Sequence, residues 1–519
     1  MTIQVLPLIE CFTMKRAEFD PSSVTVNPAA ARAGSKLGLE LEMGVVDRVT
    51  GASHPVHGYF ERLAERRLAR GEPVTETILG GRLVNLAGPA GHSGLDNAFN
   101  LLETAFDPIV APDGLDALHR TVVAEIADAN AVLAEEGAVL LNAAEHPDCA
   151  LSDTWYRSVV APRRVYAEMA GFRGWRHQLG IDAKAQNSPC TAVPIAQAAR
   201  ALNTILALAP ANIALFANSP LEGGRDTGLK ENRLTLWDRM FSGTRFACDH
   251  RLQQLPDAPF ADLGAYFRWM FGPGTVTRAL PASTGASYKS GAHVYLNDNP
   301  PLGAFLQSVS WDGVTDDGDT ITLAPESAHF VHAQFGNFID ARWRYRLADF
   351  PELPALLRAW ETPHGLEALF AQHGVDGYIE GRAPGANFAD PQLLALAGPD
   401  ICRTVTIAPS AIQLGLMRNL DDAEALVREW GWAPLAALRA DAIRLGMASD
   451  RVQALARDTL AVARAGLSPA DAAWLTYAEY VTETRQTGAD RLLQLWRAHE
   501  ARPRDRLAQV CTQRHCLAL

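Results

Sequence analysis

Lysine is scarce in this sequence of 519 residues: five occur, at positions 15, 36, 184, 230 and 289, and the other basic residues are arginine. Acidic residues (59) outnumber basic ones (47), and the formal net charge is −12. A protein of this balance has no broad basic surface, which argues against a nucleic-acid partner. No apolar run approaches the roughly 20 residues that span a bilayer, so no membrane partner is expected. The stretch M-T-I-Q-V-L-P-L-I-E-C-F lacks a basic region ahead of its apolar part, which argues against a secretory signal, and the expected location is cytoplasmic. Cysteines number seven, an odd count, and no C-x-x-C pair occurs, which fits a reduced compartment rather than a disulfide framework. Cys511 and Cys516, in the tail C-T-Q-R-H-C, read as part of a mobile polar chain end rather than as a metal or redox pair. What remains is ordinary: 48% hydrophobic residues and a mean hydropathy of −0.04. That suits a large core, with one catalytic domain and an appended part.

The most informative stretch runs from His177 to Arg239. Leu179 to Gln186 alternates as a strand does, with Ile181, Ala183 and Ala185 on one face and Asp182, Lys184 and Gln186 on the other. Pro194 can open a helix and Pro210 can close it, and between them Ile195, Leu202, Ile205, Leu206 and Ala209 recur at helical spacing. Asn218-Ser219-Pro220 and Gly223-Gly224 then force a turn, and a basic, polar segment ends at Trp237. This order brings several polar groups to one end of a sheet. With lysine so rare, Lys184 and Lys230 inside this stretch are individual candidates.

Acidic residues fall at spacings that suit a metal. In K-L-G-L-E-L-E-M, Leu37, Leu39, Leu41 and Met43 share one strand face while Glu40 and Glu42 share the other. Carboxylates two residues apart lie about 6.6 Å apart along a strand, a spacing for hard cations bridged by phosphate. Asp96 and Glu103 are separated by an odd number, so on one regular strand they would face opposite ways unless a bend intervenes. Glu380 and Arg382, at a strand end before a Gly/Pro loop, can share a face and hold a metal beside a fixed guanidinium. Residues 153–175 are rich in Arg, Tyr and Trp and read mostly as a surface helix with snorkelling arginines. His293, and His329 with His332 three residues on, lack a third ligand and read as structural. Helices are expected over 55–72, 115–136, 421–444, 451–465 and 469–483, with another after Gly488.

Six of these pieces, in order, resemble the glutamate–cysteine ligase family of plant and proteobacterial type, within the glutamine-synthetase-like carboxylate–amine ligases. They are Gly38-Leu39-Glu40-Leu41-Glu42; Leu95-Asp96 through Glu103; Tyr166 to Gln186; A-L-F-A-N-S-P over Ala214–Pro220; the R-x-x-x-W of Arg233 and Trp237; and Tyr378-Ile379-Glu380-Gly381-Arg382. The resemblance spans about residues 36–430. It implies an α+β fold, with a curved antiparallel catalytic sheet surrounded by helices and a C-terminal helical region. The resemblance sets a catalytic domain over 34–434 between an arm over 1–33 and a helical region over 435–519, both of which the residues themselves suggest. It further implies ATP and Mg²⁺ as cofactors, and phosphorylation of a glutamate γ-carboxylate followed by attack of an amine. Glu40, Glu42, Asp96, Glu103 and Glu380 become metal candidates. Arg233, Arg382 and Lys184 become catalytic candidates, and Lys230 and Gln186 join Arg233 and Arg382 as candidates for nucleotide binding.

Two departures bear on that reading. The family carries Q-x-N where this chain has Lys184-Ala185-Gln186, so an ammonium would either replace one cation or bind a different substrate carboxylate. Asp96 also stands, one residue out of register, where a glutamate is expected. Three functions are therefore weighed: glutamate–cysteine ligation, the same chemistry with another amine or acid, and a catalytically silent binding scaffold. Against the last, carboxylates gathered without cations would repel one another.

Overall fold

A computed structural model describes residues 36–110, 114–283, 289, 291–332, 337–346, 351–499 and 505–519. The arm expected over 1–33 lies outside the described residues, as does the side chain of His332. In chain order the strands begin with β1 (Leu37–Asp47), β2 (Thr75–Leu79), β3 (Arg82–Gly88), β4 (Gly91–Leu95), β5 (Leu101–Phe106), β6 (Ala138–Leu141) and β7 (Asn187–Ala192). A small hairpin, β8 (Leu221–Glu222) and β9 (Arg225–Asp226), and a second sheet, β10 (Val294–Leu296), β11 (Trp311–Thr315) and β12 (Thr320–Leu323), follow. The last strands are β13 (Ala341–Arg346) and β14 (Asp376–Gly381). Nine of these form one sheet in the order β13-β14-β7-β1-β5-β4-β3-β2, with β6 also paired to β1. Every pairing in it is antiparallel. With many helices around it, this is the expected α+β class.

β1 is the spine. Its Leu37–Leu41 half pairs with β7, its Gly44–Asp47 half with β6, and Glu40–Gly44 with β5. The alternation read from the sequence is the alternation observed: Leu37, Leu39, Leu41 and Met43 are at most 2% exposed and belong to the main core. That core includes Leu115, Leu118, Val122, Ile126 and Val132 of helix α2 (Gly114–Glu135). Each such side chain stabilises by about 1.5–3 kcal/mol relative to exposure. The same face of the sheet is sealed further on by helix Ala408–Arg418, where Gln413 donates to the carbonyls of Pro189 and Ile379. The opposite face is left to polar side chains.

Three local expectations need correction. Leu179 to Gln186 is not a regular strand: His177–Leu179 is a 3-10 turn, Gly180 follows at φ 110°, and the strand itself runs Asn187–Ala192. Asp182 explains the difference. Its side chain is drawn inward to accept from Trp155 Nε1 at 2.9 Å and Asn100 Nδ2 at 3.2 Å, so the chain turns before it can pair. Lys184 and Gln186 make only isolated bridges, to Glu145 and Gly385. Pro210 does not end a helix. Helix Ala198–Ala207 stops at Leu208, and Pro210 sits in the first turn of the next, Ala209–Leu215, where its missing N–H costs nothing. The two are bent by 48°; together they have the length and composition of a bent membrane span, yet they are almost wholly buried within the protein, and no single described helix is long and apolar enough to cross a membrane. Finally, Arg173 of the Arg-rich segment is fully buried, paired with an equally buried Asp249. The Gly223-Gly224 turn is as expected: both residues have positive φ, 52° and 72°, which suits a two-residue hairpin loop between β8 and β9.

The C-terminal helices, among them Asp450–Ala465, Thr476–Thr484 and Gly488–Ala498, lie against the sheet-bearing part. The tail is not a loose polar end. His515 bridges Leu141, the Cys516 N–H donates to the Leu140 carbonyl, and Cys511 and Cys516 are buried free thiols. Arg514, with no exposed surface, donates to Asn142 O at 2.8 Å and to Asn218 Oδ1 at 2.6 Å. The tail therefore clamps the Asn218-Ser219-Pro220 loop from behind.

Candidate active site

On the polar face, antiparallel register decides which groups meet. Glu42 on β1 stands opposite Glu103 on β5, and Glu40 opposite Ser188 on β7. β4 and β5 form a hairpin whose turn begins at Asp96, so Asp96 sits in the turn and Glu103 on the returning strand β5. That turn is the bend their odd spacing requires. Oxygens of Glu42, Asp96 and Glu103 all lie within 4.8 Å of one another. An all-carboxylate set at that separation fits a hard divalent cation such as Mg²⁺.

Cations meet this cluster from two sides. The Lys184 ammonium, its side chain 4% exposed, is 3.4 Å from Glu42 and 3.6 Å from Asp96. From β13 and β14, Arg342 reaches Glu380 at 2.7 Å and Arg382 reaches it at 2.8 Å, with Arg344 at 3.7 Å. Burial alone would raise the Glu380 carboxyl; these three guanidinium groups instead hold it down to about 2. It thus anchors arginines, and its oxygens are spent on them rather than free for a metal. Glu40 and Glu42 are pushed up to about 7: burial comes first for both, followed by Glu380 for Glu40, while for Glu42 the nearby Lys184 offsets part of the rise.

The other wall of this cavity is aromatic and apolar: Tyr166, Met169, Trp175, Ile181, Trp237 and Phe338. His177, beside them, receives a 2.9 Å contact from Tyr156 Oη on Nδ1 and is held neutral by burial, at about 4. A second cavity on the same sheet face shares Glu40 and is lined by Lys36, His92, Phe106, Arg346 and Tyr378.

Of the candidates named from sequence, Glu40, Glu42, Asp96, Glu103, Lys184 and Arg382 line the first cavity, and Glu380 lies beneath it. Three lie elsewhere. Arg233 is 1% exposed and donates to Glu231 at 2.5 Å, Gln186 at 3.3 Å and the Ala383 carbonyl at 2.7 Å. It braces the strand end that carries Arg382 and does not face the cavity. Gln186 uses its N–H on Glu42 and its side chain on Arg233. Lys230 is remote, its ammonium paired with Asp490 at 2.5 Å. The Asn218-Ser219 motif is likewise internal: the Asn218 N–H and the Ser219 hydroxyl both donate to Glu231. Sequence reasoning assigned no role to Arg342 and Arg344. Their signal was the alternation A-R-W-R-Y-R, which puts every arginine of β13 on one face.

A cavity with a converging carboxylate cluster, fixed guanidinium groups and a buried ammonium on an antiparallel sheet has the chemistry to hold a polyanion together with a divalent metal. Residues 36–271 match the sequence model of glutamate-cysteine ligase family 2. The matched stretch carries Glu40, Glu42, Asp96, Glu103 and Lys184. No curated protein matches the chain. Among solved structures it is similar to glutamate–cysteine ligase from Francisella tularensis in complex with AMP: 12% identity, 92% of this chain and 89% of that chain covered, TM-score 0.45. It is also similar to a bifunctional glutathione synthetase from Pasteurella multocida: 12% identity, 92% and 51% covered, TM-score 0.45.

Proposed function

We propose that this protein is an ATP-dependent carboxylate–amine ligase, and that its reaction is glutamate–cysteine ligation through γ-glutamyl phosphate. The observation that carries this is the convergence of Glu42, Asp96 and Glu103 within 4.8 Å, opposite the arginines gathered on Glu380. In this reading the nucleoside occupies the cavity of Tyr378 and Phe106, and the triphosphate runs past Glu40 to the carboxylate cluster. Glu103 and Glu42, with Asp96 beside them, would hold Mg²⁺, and the ion would supply charge neutralisation at the phosphate oxygens. Arg342, Arg344 and Arg382 supply preorganised positive charge where negative charge shifts during transfer. A γ-carboxylate oxygen attacks the γ-phosphorus and ADP leaves. The amine then attacks the acyl carbon, phosphate leaves, and the amine gives up a proton. Arg233 and Glu231 act as positioning residues behind Arg382.

One observation favours a second reading, the same chemistry with a different amine. The wall of Trp175, Trp237, Phe338 and Met169 offers more apolar surface than a cysteine side chain needs. The test is turnover of ATP and Mg²⁺ with glutamate and a panel of amines, with products identified by mass. γ-Glutamylcysteine and ADP support the first reading, an amide of a bulkier amine supports the second, and neither ATP binding nor turnover refutes both.

A further inference from the structure

Lys184 differs from the arginines of the cavity in what it touches. Arg342, Arg344 and Arg382 converge on Glu380, whereas the Lys184 ammonium stands 3.4 Å from Glu42 and 3.6 Å from Asp96, two of the three clustered carboxylates. It is held there. The backbone on either side is pinned, by the His146 N–H on Ala183 O, the Ala185 N–H on Ala144 O and the bridge from Lys184 to Glu145. Trp237 covers the charge, its ring centroid 5.2 Å from the ammonium. A divalent ion takes carboxylate oxygens at about 2.0–2.6 Å, so an ion shared by Glu42 and Asp96 would crowd a fixed like charge.

We infer that Lys184 is a tethered cation that takes the Glu42–Asp96 side of the cluster, so that this chain binds one divalent ion fewer there than its carboxylates would otherwise hold. The inference rests on the reading of the cluster as a cation site. Any ion present is then held from the Glu103 side, with the remaining oxygens of Glu42 and with Glu40 next along the strand. A lysine in this place adds one charge where an ion would add two, and it cannot dissociate.

The experiment counts Mn²⁺ bound to the full chain, without nucleotide, by electron paramagnetic resonance and titration calorimetry. K184Q is expected to bind one more Mn²⁺ per chain than the wild type, and K184R the wild-type number. D96N, which removes a carboxylate on the lysine's side, is expected to leave the wild-type ion count unchanged, and it serves as the independent readout should K184Q fold poorly. The same count in K184Q and wild type, or loss of the bound ion in D96N, overturns the inference while leaving the ligase reading in place. Absence of any bound Mn²⁺ in the wild type removes the cation-site reading and this inference with it.

Discussion

Asp249→Ala should be among the most damaging single substitutions outside the cavity. Asp249 and its partner Arg173 have fully buried side chains. The carboxylate accepts from Arg173 Nε at 3.2 Å and from a second guanidinium nitrogen, from Trp175 Nε1 at 2.7 Å and from Thr244 Oγ1 at 2.6 Å. Burial would raise its pKa, but Arg173 and these donors hold it below the usual carboxylate range. Removing one partner of a buried pair costs about 3–5 kcal/mol, because the other charge is left without compensation. With an unfolding entropy of about 2.1 cal/mol/K per residue over about 500 residues, that is a fall in Tm of roughly 3–5 °C. Scanning fluorimetry at a fixed heating rate reads it directly. Trp175 also lines the cavity, so KM for the amine should rise as well. A shift below about 1 °C would refute the reasoning, since water or rearrangement would then be satisfying Arg173. The double variant Arg173→Met with Asp249→Leu should recover most of the loss, because a well-packed apolar pair is often as stable as the ionic one.

Other predictions follow from the same geometry. His146 accepts from the Asp148 N–H on Nδ1 at 3.1 Å and its Nε2 lies 3.0 Å from the Gly51 carbonyl, a pattern that only the neutral ring satisfies. Burial lowers its pKa from 6.5 to about 4. A depressed base contributes stability that is present above about 6.5 and lost as pH falls toward 4, up to about 3 kcal/mol, so His146→Gln should flatten the acid limb of a Tm-against-pH curve. Glu103→Gln should weaken Mn²⁺ binding by more than the roughly 10–100-fold that loss of an outer-shell partner costs, read by titration calorimetry. Gly415 packs directly on the Ala463 backbone, so Gly415→Ala should destabilise by about 1–3 kcal/mol through overpacking, measured as a lower denaturation midpoint. Lys230→Met should leave ATP turnover at the wild-type rate, because its ammonium is engaged by Asp490 away from the cavity.

Local pattern announced some of this site and concealed the rest. The acidic face of β1 was legible because leucines alternate with glutamates on a strand whose two faces meet different surroundings. The helices over 115–136 and 451–465 were legible from periodicity. Asp96 and Glu103 could not be placed by spacing, since a hairpin turn and not a strand separates them. Arg342 and Arg344 drew no role from the sequence because nothing in A-R-W-R-Y-R says that Glu380 lies opposite on β14; that is a fact of register between strands far apart in sequence. Arg233 and the Asn218-Ser219-Pro220 loop show the converse. Their motif is distinctive, yet Glu231, Asn142 and Arg514 absorb it into internal bracing. A buried polar group that must be satisfied and a polar group that must meet a ligand look alike in sequence.

The central claim is that a carboxylate is activated by phosphoryl transfer in this cavity. Glutamate labelled with ¹⁸O in its γ-carboxylate, turned over with ATP, Mg²⁺ and the accepted amine, tests it most directly. The account predicts ADP as the nucleotide product and one ¹⁸O atom carried into the released phosphate. Unlabelled phosphate, or label appearing in AMP, would contradict it.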